Sequence, residues 1–195
     1  MVTNFSHLKR WKRIYDSAVE MEEALLEATT VSKYKGAIGT SRDVLERIVK
    51  EMVKTAGIED KSILQVMAQE GKAAQYPTNF GRILTLKRTG VLSPETINNL
   101  IFLNKKGNAA RHADSELDDM NVEQIKVIAE RVYSAVYRET YLFAHQYMPV
   151  LEAQKVKGIN AFSEQKNQTA LKVLAIVLWS LVGVIFLYAF LYPLI

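Results

Sequence analysis

Between residues 104 and 114 the chain reads Asn-Lys-Lys-Gly-Asn-Ala-Ala-Arg-His-Ala-Asp, which sets the cations Lys105, Lys106 and Arg111 beside the imidazole of His112. An imidazole is the side chain best suited to move a proton near neutral pH, so His112 is a candidate general acid or base. The neighbouring cations are of the type that holds phosphate oxygens, which makes Lys105, Lys106 and Arg111 candidate ligand-binding residues. Gly107 permits close backbone approach, and the small Ala109 and Ala110 leave room beside it. Asn108 and His112 are four apart and would share one helical face, so Asn108 joins His112 as a candidate catalytic residue. The competing reading of His112 is a capping or packing residue at a helix end. A second cation, Arg42, falls within an apolar stripe between Ile38 and Leu45. It either points at the His112 segment or a phosphate, or pairs with Glu46 one turn on.

Composition narrows the chemistry. The chain has 25 basic and 21 acidic residues, a net charge of +4, which permits binding to RNA or anionic lipid and demands neither. With no cysteine, disulfides, thiolate catalysis and cysteine-ligated zinc are excluded. The histidines, His7, His112 and His145, are dispersed, so no metal site and no cofactor are expected.

The segments that must position these residues read as helices. Leu8, Trp11, Tyr15, Ala18 and Leu25 recur at helical spacing, and Ile38, Leu45, Val49 and Met52 mark a second helix from about Lys35 to Ala56, with Gly57 as its stop. Shorter helices are expected near Ser62–Gln69 and Phe80–Lys87. Ser93-Pro94-Glu95 is a helix start: a capping hydroxyl, a proline at the first position and an acid at the positive end of the dipole. That helix is expected to end at Gly107, which leaves the His112 segment as a loop. A long helix follows from about 121 to 146, with Val122, Ile125, Ala129, Val132 and Val136 on one stripe and Pro149 closing it. The fold class expected is all-α, an antiparallel helical bundle over residues 1–148, then a juxtamembrane linker over 149–172.

Residues 173–195 carry no charged side chain. A helix of that length spans about 34 Å, against a hydrocarbon core of about 30 Å. The expectation is one C-terminal transmembrane helix, with the lipid bilayer as a partner. The lysines at 155, 157, 166 and 172 would hold the N-terminal domain on the cytoplasmic face of the cell membrane and send the C-terminus across.

Two blocks of sequence carry a family resemblance. Tyr34-Lys35-Gly36-Ala37 leads into Ser41-Arg42-Asp43-Val44-Leu45-Glu46, and Gly107-Asn108-x-Ala110-x-His112 follows later in the chain. Together they resemble the bacterial domain-of-unknown-function branch of the HEPN superfamily (higher eukaryotes and prokaryotes nucleotide-binding). The resemblance implies a four-helix-type bundle, often paired as a homodimer, among proteins that bind or cleave RNA without a metal in phage defence and stress systems. In active members a histidine handles a proton while the ribose 2′-hydroxyl attacks, and an arginine stabilises charge on the phosphate. Here that arginine position holds Asn104, and lysine at 105 or 106 lacks the planar fork that suits phosphate. Two functions are therefore expected as alternatives. One is RNA or nucleotide-ligand binding with weak or absent metal-independent endoribonuclease activity; the other is a non-catalytic dimerisation or partner-recruitment module.

Overall fold

The computed structural model describes residues 4–113 and 115–155. The chain divides into two compact units, residues 1–153 and 154–195. The described residues of the first unit form six α-helices: α1 (Lys12–Leu26), α2 (Val31–Thr55), α3 (Asp60–Gln69), α4 (Asn79–Arg88), α5 (Pro94–Arg111) and α6 (Val122–Leu142). Among the described residues there is no strand. The helix starts follow from side-chain caps. Thr30, Thr78 and Ser93 accept bonds from the amides of Lys33, Gly81 and Thr96. Asn121 and Gln124 form a reciprocal capping box at the head of α6.

The long α2 is the centre of the bundle, with α1, α4, α5 and α6 packed on it and α3 on α4. Its stripe of Ile38, Leu45, Val49 and Met52 is buried, as the periodicity predicts. The opposing face of α6 buries Ile125, Ala129, Val132 and Val136, whereas Val122 is exposed at the helix start. Gly57 ends α2 at φ 68°, and the amides of Gly57 and Ile58 bond back to the carbonyls of Lys54 and Val53. This is the left-handed termination that glycine makes cheap.

Four expectations need correction. The first helix begins at Lys12, and Leu8 belongs to a separate 3-10 turn, Ser6–Leu8, that buries Phe5 and Leu8 beside it. The helix starting at Pro94 passes through Gly107 and reaches Arg111, so most of the expected loop is helical. The long helix does not stop at Pro149. It widens into a π turn at Phe143–Tyr147 and stays helical over 148–153. A widened turn just before the proline makes room for a ring that would otherwise meet the preceding carbonyl.

The fourth correction concerns the bundle with a transmembrane helix. Among the described residues no helix is long and apolar enough to cross a membrane. The physical reason is visible in α2, which is long enough but carries Lys33, Lys35, Asp43, Arg47, Lys50, Glu51 and Lys54 around its outer faces. The fold is therefore an all-α bundle whose helices bury one face each, and residues 173–195 lie outside the described residues.

Candidate functional site

The segment singled out in the sequence forms the last two turns of α5 and its exit. Gly107 sits where α5 crosses α2: a Cβ there would lie 2.8 Å from the Cβ of Arg42. One turn on, Gly39 of α2 faces Ala110 and Arg111. Small residues on both helices let the backbones approach closely. That is the role of Gly107, whose backbone is ordinary helix rather than a turn. The same crossing brings the stem of Arg42 against α5.

His112 is the C-cap of α5. It leaves the helix with extended backbone (φ −95°, ψ 141°) and is exposed. Asn108 remains inside the helix and is half-buried, so the shared face expected from their spacing does not extend to His112. The site also lies at a helix C-terminus, where the aligned peptide dipoles present partial negative charge. That end repels a phosphate and suits a cation.

Three of the cations around it are engaged with acids of the chain itself. Arg111 bonds Asp43 of α2 at 2.5 Å, and Lys106 bonds Glu116 of the α5–α6 connection at 2.7 Å. Lys35 of α2 pairs with Asp118 of the same connection. The hydrogen bond from Lys106 and its charge hold the Glu116 carboxyl below its usual range, and Lys35 and Ser115 do the same for Asp118. These pairs tie the loop after α5 back onto the bundle, with Leu117 buried beneath it. Lys105 is exposed and makes no ion pair among the described residues. Arg42 is half-buried, and its Nε is enclosed with no hydrogen-bond partner. Glu46 pairs with Lys50 at 2.5 Å rather than with Arg42. The bond from Lys50 is the main cause of the depressed Glu46 pKa, to which Arg42 adds a smaller attraction. Asn104 is half-buried. Among the described residues no three His, Asp or Glu side chains converge as a metal would need.

A second polar cluster escaped the sequence reading. Glu139 of α6 is 2% exposed. Its Oε1 accepts from Asn99 of α5 at 2.7 Å, while Oε2 has no partner. Burial drives its pKa upward, against the bond from Asn99. Thr96 and Tyr147 share a 2.7 Å hydrogen bond, which links α5 to the π turn. A third cluster gathers aromatic rings on the outer side of α6. His7 is edge-on to Tyr137 and Tyr141, and His145 lies beyond Tyr141. Burial and the nearby His145 lower the His7 pKa. Tyr133, bonded to Glu22 at 2.6 Å, is pushed up to about 12, chiefly by burial.

No protein-family model matches the chain, and no curated protein or solved structure matches it either.

Proposed function

We propose that this domain is a non-catalytic interaction module that pairs with a second copy of itself through the outer face of α6. The observation that carries this reading is the pattern of that face about Ser134. Val127 is 65% exposed, Tyr137 40% and Tyr141 48%. Two copies of α6 laid antiparallel with Ser134 at the two-fold axis bring Val127 opposite Tyr141, Arg131, which lies over the Phe102 ring within its own chain, opposite Tyr137, and Glu130 opposite Arg138, which Glu95 of its own chain also engages. Apolar meets aromatic, cation meets ring and acid meets base. A self-complementary patch of this kind is what a two-fold interface between identical chains requires. Aromatic anchors of this exposure are also the residues that supply most binding energy in interfaces.

The His112 end supports the same reading. Two of its three cations, Arg111 and Lys106, are spent on Asp43 and Glu116, and its helix terminus carries the wrong partial charge for a phosphate. The RNA-binding alternative is favoured by one observation, the enclosed and unpartnered Nε of Arg42 beside α5.

Light scattering on the full chain at several concentrations tests the proposal. A dimer that Tyr137→Glu with Tyr141→Glu converts to monomer is expected. A chain that is monomeric at every concentration refutes the module.

A further inference from the structure

A cavity of about 500 Å³ opens between the first turn of α1 and the middle of α2. It shares Asp43 with the cluster around His112, and none of its lining residues belongs to α6. Its basic side chains are Lys12 and Arg13 from α1 and Arg47 and Lys50 from α2.

The ion pairs around it do not use these cations equally. Lys12 is held by Asp16 at 3.0 Å, and Lys50 by Glu46 at 2.5 Å. Asp43 is already bound to Arg111. Arg13 and Arg47 have no carboxylate within ion-pair distance among the described residues. They come from different helices and line one space. Glu51, one turn beyond Arg47, is the one acid on the walls with no ion pair among the described residues. No acid occupies the first turn of α1 to compete for Arg13. Guanidinium is the group that grips phosphate oxygens bidentately, and two forks on one cavity suit a dianion better than a single carboxylate.

Apart from these four basic side chains and the acids Asp43, Glu46 and Glu51, the wall is Trp11 and Ile14. Ile14 is buried, and Trp11 is half-buried, held edge-on by Phe143 at 4.8 Å with Arg10 over its ring. Such a wall covers carbon, not charge, and the volume exceeds what a bare phosphate fills. Pockets for small organic ligands combine this apolar lining with a few placed polar groups.

We propose that this cavity binds an organic phosphate monoester, with Arg13 and Arg47 taking the phosphate and the Trp11–Ile14 wall covering the organic part. Titration calorimetry of the full chain with phenyl phosphate, inorganic phosphate and phenol tests it. Phenyl phosphate should bind saturably and more tightly than inorganic phosphate, weaken as salt is raised, and phenol should give no binding. Arg13→Gln and Arg47→Gln should each weaken it by about tenfold or more, since each removes charge-assisted hydrogen bonds. Arg47→Lys should fall in between, because it keeps the charge and loses the fork. Both arginines are exposed, so thermal unfolding of the variants should match the parent. No saturable binding of phenyl phosphate, or binding unchanged in the double variant, overturns the site. Inorganic phosphate binding as tightly as phenyl phosphate overturns the role of the apolar wall.

Discussion

Replacing Glu139 by glutamine should stabilise the bundle at neutral pH and do nothing at acid pH. The side chain is 2% exposed, one carboxylate oxygen is bonded by Asn99, and the other has no partner. The guanidinium of Arg138 reaches only to 4.0 Å and is itself engaged by Glu95. An unsatisfied buried acceptor costs about 1–3 kcal/mol, and more when it is charged. Glutamine keeps the shape and the oxygen that faces Asn99 and removes the charge, but it leaves an amide group unpaired, so about 1 kcal/mol should be recovered. For a domain of this size that is a rise of about 2–4 °C in Tm. The pH dependence follows from the raised pKa. A carboxyl that binds its proton more tightly when folded contributes stability below its ordinary value of 4.5 and loses that contribution as pH climbs through the raised value. The glutamine advantage should therefore be absent at pH 4 and full at pH 8. Thermal unfolding by circular dichroism across that range measures it. An equal shift at both pH values, or a loss of stability at pH 8, refutes the reasoning.

Leu45, buried at the centre of α2, should cost about 2–5 kcal/mol when truncated to alanine, and unchanged thermal unfolding would place it outside the core. Asp43→Asn together with Glu116→Gln should free Arg111 and Lys106, so that affinity for an RNA oligonucleotide rises and falls more steeply with salt; no change in either would show that these pairs do not mask the cations. His7, whose pKa is lowered by burial and by His145, favours its neutral form when folded. Its contribution to stability is present above its ordinary value of 6.5 and is lost as pH falls through the lowered one. His145→Gln should lessen that loss, and unfolding curves identical to the parent between pH 5 and 7 would exclude the coupling.

Much of the architecture was legible because local signals and packing agree. The Ser93-Pro94-Glu95 start, the Gly57 stop and the α2 stripe depend on neighbours in sequence, and each is observed. Gly107 misled because a glycine near the end of an apolar pattern looks like a stop. Only the crossing with Arg42, far away in the chain, explains why a side chain is missing there. Pro149 misled similarly, since periodicity does not reveal a π turn. Glu139 was readable: it falls three residues after Val136 on the stripe of α6 and lands in the core. The ion pairs of Arg111 and Lys106 were not, because their partners Asp43 and Glu116 lie on other elements. The same holds for the cavity, whose arginines are brought together only by the α1–α2 hairpin.

The pairing of two copies through α6 is tested most directly by a single cysteine. The chain has none of its own, so Ser134→Cys introduces a unique thiol at the proposed two-fold axis. A disulfide forms only where Cα atoms come within about 7 Å. Under mild oxidation the full chain carrying Ser134→Cys should cross-link rapidly to a dimer, and Tyr141→Glu should suppress the reaction. A cysteine at exposed Lys61, remote from α6 in the chain, provides the comparison. Cross-linking at position 134 no faster than at position 61 would contradict the interface.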